Sequence, residues 1–251
     1  MTRSSMVQDP ELDFDNGTFD SSAFTSEALT NWQTLAAIID HTLLKPDASR
    51  QQVEDLCADA ARYRFGSVIV NPLWASTAVG ALAGTGIPVG VVIGFPLGAS
   101  LVSTLRQESA ALLRLGASDI GMVLPIGQLK SGNYHAVHHA IHAVANIAHH
   151  HGAGLKVNLE TCLLTVEEKL RASEIAIQAG ADFINTATGF ASGGATPEDV
   201  ALMRGVVGAR CGVKAGGRIR TVAQVRGLLE AGANRIGSSA SVAILRELGA
   251  E

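Results

Sequence analysis

The chain has 251 residues, 47% hydrophobic and 17% charged, with a formal net charge of −4. That length fits one or two globular domains, and α/β barrels of this size are commonly single domains. Acids and bases are interspersed without a basic stripe, which sets nucleic acid aside as a partner, and no uninterrupted apolar run reaches membrane-spanning length.

Residues 1–24 are polar and acidic, with neither an Arg-rich nor an apolar signal core. They read as a disordered extension rather than a targeting peptide, leaving residues 25–251 as the folded domain. Glu27–Ala36 predicts a short helix ahead of the first strand. The expected strands are then Ala37–Asp40, Ser67–Val70, Val89–Ile93, Ile120–Val123, Leu155–Glu160, Phe183–Asn185, Gly212–Lys214 and Arg235–Gly237. Helical spacing fills the gaps between them. In Arg50–Arg62, for example, Val53, Leu56, Cys57 and Ala60 share one face.

One phrase recurs: "LGASDIGMVLP" from Leu115, "AGADFINTATG" from Ala179 and "AGANRIGSSAS" from Ala231. Its glycine suits a helix C-cap, where φ is positive. The apolar run that follows reads as a buried parallel strand, and the polar end as a loop. In "ATPEDVALM", Thr196 is a capping residue, Pro197 suits the first helical position and Asp199 sits near the positive helix end. Eight strands alternating with eight helices predict a closed single-domain (β/α)8 barrel. The first-turn glycine fingerprint of an open, doubly wound sheet is absent.

Chemistry in such a barrel belongs at the C-terminal strand ends. Lys156 and Lys214 lie within apolar strands, where an ammonium is costly to desolvate. Each reads either as a nucleophilic amine with a depressed pKa or as a structural partner of Asp40 or Glu160. "AGGRIRT" follows the seventh strand and "GSSAS" the eighth, where barrels often bind phosphate. Gly216 and Gly217 would let backbone N–H groups approach an anion, and Ser238 and Ser239 would add hydroxyls. His135, His138, His139 and His142 share helical spacing, but on an outer helix without an acidic ligand cluster. They read as a solvated face, and neither a metal nor any other cofactor is expected. Cys57, Cys162 and Cys211 are scattered and odd in number, which predicts a reduced, cytoplasmic protein. Cys162 has no evident base and reads as a packing residue.

"IDHTLLKPDA", "VIGFPLG", "LKVNLETCLLT", "AGADFINTATGF", "GVKAGGRIRT" and "RIGSS" together resemble the deoxyribose-phosphate aldolase family of class I aldolases, over roughly Leu35 to Leu245. The resemblance implies a TIM barrel, often dimeric and cytoplasmic. It also implies reversible cleavage of a small phosphorylated sugar, 2-deoxyribose 5-phosphate, to acetaldehyde and glyceraldehyde 3-phosphate. The family's strand-seven lysine is present as Lys214, and Asp40 matches a site aspartate. Its Schiff-base lysine, however, falls on Asn185. Its strand-four aspartate falls on Gly121, its "T-S-T-G" serine on Ala187, and one glycine of the phosphate loop on Arg218. Asn158 stands where the family has an apolar residue. An amide nitrogen is delocalised and forms no iminium, so the usual mechanism with its usual lysine is closed.

The resulting expectation is an aldolase-type lyase with a non-standard site and a homodimeric assembly. Its catalytic candidates are Lys214, Lys156, Asp40, Asn185 and Asn158. Its phosphate candidates are Gly189, Gly216, Gly217, Arg218, Gly237, Ser238 and Ser239. Two alternatives use the same scaffold: a non-covalent isomerase, dehydratase or cyclase, and a sugar-phosphate-binding protein without turnover.

Overall fold

The computed structural model describes residues 18–251. Eight parallel strands close into a barrel in sequential order: β1 (Ile39–Leu43), β2 (Ser67–Val70), β3 (Val89–Ile93), β4 (Asp119–Val123), β5 (Gly154–Asn158), β6 (Phe183–Asn185), β7 (Gly212–Gly216) and β8 (Arg235–Ser238). β1 closes the ring by pairing with β8, Asp40 opposite Gly237, and with β2, Asp40 opposite Ser67. The expected single-domain (β/α)8 barrel is the observed fold.

Two helices precede the barrel, α1 (Ser21–Ala28) and α2 (Trp32–Ala37). Around it run α3 (Arg50–Tyr63), α4 (Ala75–Ala81), α5 (Val102–Arg114), α6 (Ile126–Lys130), α7 (Tyr134–His150), α8 (Val166–Gln178), α9 (Pro197–Val207), α10 (Val222–Glu230) and α11 (Ser241–Glu247). The first 17 residues of the expected extension lie outside the described residues. Its end is corrected: α1 begins at Ser21, because the Asp20 side chain accepts from the N–H groups of Ser22 and Ala23 at 3.0 Å each and caps the helix.

Local signals act as read. The recurring glycines Gly116, Gly180 and Gly232 have φ of 100°, 96° and 110°, and each is followed by a buried alanine. α3 starts with a reciprocal cap between Ser49 and Gln52, and it buries Val53, Leu56, Cys57 and Ala60. Thr196 caps α9 through the Asp199 N–H at 3.1 Å.

Five strands differ from expectation, β4 and β8 by a single residue at one end. β1 runs from Ile39 to Leu43, because the small apolar pair Ala36–Ala37 completes α2. β5 stops at Asn158, since Glu160 turns left-handed at φ 56°. β7 continues to Gly216.

Side chains alternate across each strand. Ile39, Val68, Val91, Ile93, Ile120, Met122, Leu155, Val157, Ile184, Val213 and Ile236 are buried in the main apolar core, the face the helices cover. The other parity carries Asp40, Asp119, Gly121, Lys156, Asn158, Asn185, Lys214, Arg235 and Gly237. The barrel interior is thus unusually polar, and it opens upward into the site.

Candidate active site

A cavity of about 360 Å³ sits at the C-terminal mouth of the barrel, large enough for a small sugar phosphate. Lys156, Asn158, Asn185 and Lys214 line it, as do Gly189, Gly216, Gly217, Arg218, Gly237, Ser238 and Ser239. Strand register explains this convergence. Asn158, Asn185 and Lys214 are successive Cα partners across β5, β6 and β7, and Gly121 stands opposite Lys156.

Asp40 is the exception. It lies beneath the cavity, completely buried, because β1 extends three residues beyond it. Each of its oxygens is occupied. Oδ1 accepts from Ser67 Oγ and Arg235 Nε, both at 2.7 Å. Oδ2 accepts from Lys214 Nζ at 2.5 Å and Lys156 Nζ at 3.2 Å. Burial opposes its charge, but Lys156, Lys214 and Arg235 together overcome that and hold the carboxyl well below the usual range. A carboxylate so held is a poor proton acceptor. In this geometry Asp40 gathers the Lys156, Lys214 and Arg235 cations.

The two lysines differ for a reason that can be named. Lys156 Nζ also bonds Asp119 Oδ2 at 2.8 Å. Burial disfavours its ammonium, yet the Asp119 and Asp40 carboxylates outweigh burial and raise its pKa. Lys214 has Asp40 alone and Lys156 as a like-charged neighbour. Burial there prevails over the Asp40 attraction, and its pKa is lowered. Of the two amines, Lys214 is the one that gives up its proton more easily. Lys156 is held between the Asp40 and Asp119 carboxylates.

The amides of Asn185 and Asn158 pair directly: Asn185 Nδ2 donates to Asn158 Oδ1 and also to Ala187 O at 3.3 Å. Asn158 Nδ2 donates to Met122 O at 3.0 Å. Asn185 Oδ1 is buried without a hydrogen-bond partner. A Cβ added at Gly121 would meet Val92 Cγ1 at 3.5 Å, an ordinary contact. The strand-four position thus has room for a side chain and carries none.

Loops from neighbouring strands lock the rim. Glu160, left-handed and buried, accepts from the Thr188 N–H at 3.1 Å and from the Thr188 hydroxyl. Thr186 Oγ1 donates to Gly216 O at 2.9 Å and accepts from the Gly216 N–H at 3.0 Å. Ser238 was expected to offer its hydroxyl to an anion. Its Oγ instead donates to Ile219 O and accepts from the Ala240 N–H, at 2.8 and 2.9 Å, so its one proton serves the turn. Arg218 is exposed, and its Nη2 donates to Ala191 O at 3.2 Å.

Two site features were not read from the sequence, Asp119 and the Glu160–Thr188 clamp. Asp119 was recoverable, since it lies two residues before Gly121 on one strand and must share its face. The histidines lie on α7, outside the barrel. His135 stacks near His139 and His138 near His142, with centroids 6.5 and 5.6 Å apart. Among the described residues, no group of three or more His, Cys, Asp or Glu is arranged to hold a metal ion. Cys162 is exposed beside Glu160. No helix of the described residues is long and apolar enough to cross a membrane.

Residues 34–247 match the family model described as DeoC/LacD family aldolase. A deoxyribose-phosphate aldolase of Listeria monocytogenes is 49% identical over 213 residues, covering 84% of this chain and 95% of that protein. One of a Geobacillus species is 49% identical over 212 residues, covering 84% and 94%. The solved deoxyribose phosphate aldolase of Aeropyrum pernix, described as tetrameric, superposes with a TM-score of 0.84 at 29% identity, covering 91% of this chain and 96% of that one.

Proposed function

The chain belongs to the DeoC/LacD family of aldolases, and from that premise we propose that it is a deoxyribose-phosphate aldolase-like lyase whose amine nucleophile is Lys214. Its substrate is a small phosphorylated sugar or aldehyde. The observation that carries this reading is the unequal pair of buried lysines, with Lys214 lowered by burial beside the amide that occupies the usual nucleophile position.

In the proposed reaction, the neutral Lys214 amine adds to the substrate carbonyl carbon and water leaves, giving an iminium. The adjacent carbon–carbon bond breaks as a proton leaves the hydroxyl of the departing aldehyde, and the bonding pair comes to rest in an enamine. Protonation at carbon followed by hydrolysis releases the second carbonyl product and the free amine. Gly216, Gly217, Gly237 and Ser239 hold the phosphate, and Gly189 leaves space above it. As in its tetrameric relative, the chain is proposed to act as a homo-oligomer.

Incubation with sugar phosphate or donor aldehyde, borohydride reduction and peptide mass analysis test the assignment. An adduct on Lys214 is expected. No adduct on any lysine, or one confined to Lys156, overturns it. The Lys214–Asp40 ion pair favours a second reading, since a protonated amine is not nucleophilic. A binding protein would be stabilised thermally by sugar phosphate while giving neither adduct nor turnover.

A further inference from the structure

α7 (Tyr134–His150) buries Val137, Ala140, Ile141, Val144, Ala145 and Ala148 on its inner face. The rest of its surface has an unusual composition. It contains no Lys, Arg, Asp or Glu, and after Tyr134 its polar positions are Asn146 and otherwise only histidine. A helix face that serves solubility is ordinarily built from charged residues, and Lys and Glu also favour helix more than His does. Solvation alone therefore does not account for imidazole at these positions.

Side chains four apart on a helix stand one above the other, the spacing at which two imidazoles reach one ion. His138 and His142 meet that condition, with ring centroids 5.6 Å apart and planes 25° from parallel. His135 and His139 are farther apart, at 6.5 Å. His142 is also held in place. Its Nδ1 lies 3.4 Å from Ala179 O, at the C-terminal end of α8. A carbonyl oxygen only accepts, so Nδ1 carries the ring hydrogen and Nε2 keeps its lone pair. That lone pair faces the exposed Asn146, whose Nδ2 donates to it at 3.0 Å. A ring N–H anchored on a backbone carbonyl, with the other nitrogen presented outward, is how metal-ligating histidines are usually set. Farther along the helix, His149 is engaged elsewhere, its Nε2 bonding Asp182 Oδ2 at 2.8 Å.

We propose that His138 and His142 form a binding site for a divalent transition metal ion on the outer wall of the barrel, with water completing its coordination. Borderline ions such as zinc, nickel and copper take imidazole nitrogen, whereas magnesium and calcium take oxygen. Two side chains suffice for so open a site, in keeping with the absence of any group of three or more His, Cys, Asp or Glu arranged for a metal among the described residues. A bound ion clamps two successive turns of α7 and, through His142, the end of α8 that leads into β6. Its occupancy does not depend on the chemistry at the barrel mouth.

Titration calorimetry with zinc chloride on the untagged, chelator-stripped protein tests this. The wild type is expected to bind zinc saturably, without competition from magnesium. His138→Gln and His142→Gln should each weaken binding by at least about tenfold, the scale on which even the outer partners of metal ligands count, while His135→Gln leaves it unchanged. Glutamine keeps the positions polar and favours helix, and the thermal midpoint without metal checks that each variant folds. Wild-type protein with limiting copper(II) gives a readout that no variant's folding can spoil: its electron paramagnetic resonance spectrum should show coupling to two nitrogens. The site is overturned by an absence of saturable zinc binding, by unchanged affinity in both folded His138→Gln and His142→Gln, by an equal loss in His135→Gln, or by copper coupled to fewer than two nitrogens.

Discussion

Replacing Asp40 with asparagine separates its electrostatic role from any chemical one. Asparagine keeps the shape and can still accept from Ser67 Oγ, but it removes the one negative charge shared by Lys156, Lys214 and Arg235. Lys156 retains Asp119, whereas Lys214 has no second carboxylate within ion-pair distance among the described residues. Removing one partner of a buried ion pair costs about 3–5 kcal/mol, a large share of the roughly 5–15 kcal/mol that holds a typical domain together. The same change leaves Lys214 facing only like charges, and the loss of an adjacent opposite charge should lower its pKa further. A lower pKa raises the free-amine fraction near neutrality. Asp40→Asn should therefore be less stable yet form the borohydride-trapped adduct faster near pH 7. Urea unfolding gives the first quantity, and trapping rates from about pH 6 to about pH 9 give the second. A folded variant whose trapping rate falls or stays the same would refute the reasoning, because Asp40 would then act on the substrate or Lys214 would not be the amine.

Three further outcomes are expected. Cleavage of 2-deoxyribose 5-phosphate by the wild-type protein should run far below the roughly 10 per second common among enzymes, and a coupled assay reaching that scale would mean the altered site is fully competent. Asn185→Lys should place a second ammonium beside Lys214, depress one of the two amines and give an acetaldehyde adduct at residue 185; adding Gly121→Asp, for which the contacts leave room, should raise turnover by more than either change alone, and a folded Asn185→Lys protein without an adduct at 185 would contradict the strand-six assignment. His41, stacked on Phe65 at 4.6 Å with Nδ1 unpartnered and Asp59 3.9 Å from Nε2, is pushed down to about 4 by burial. The unfolded imidazole titrates near 6.5, so the unfolded chain binds the extra proton in that window. The stability contributed by the neutral ring is present above about pH 6.5 and is lost as pH falls to about 4, roughly 3 kcal/mol in all; His41→Phe should flatten that stretch of the urea-midpoint profile, and an unchanged slope would assign it to other groups.

The barrel was legible because its strands are bounded by strong punctuation. β2, β3 and β6 match the expected spans to the residue, and each is a short apolar run beside glycine, proline, asparagine or aspartate. β1 was misplaced because "AAIID" is apolar throughout, and periodicity cannot say where a helix stops and a strand begins. α1 was missed because a lone aspartate cap on a polar segment carries little signal until Phe19 and Phe24 are seen 5.4 Å apart. At the site, the type and position of Lys214, Asn185 and Asn158 were readable from the strand ends. Which lysine holds its proton less tightly was not. That depends on Asp119, whose distance to Lys156 is fixed by the pairing of β4 with β5 and not by anything local to either residue.

Asp40 stands 116, 174 and 195 residues before the three cations it gathers. During synthesis the strand bearing the carboxylate emerges first, and Arg235 emerges last, on the strand that seals the ring. Until β8 docks against β1, Lys156 and Lys214 belong to an open sheet whose interior water can enter, and their amines behave like those of any solvated lysine. Sealing the ring therefore shapes the molecule and buries both lysines in a single event.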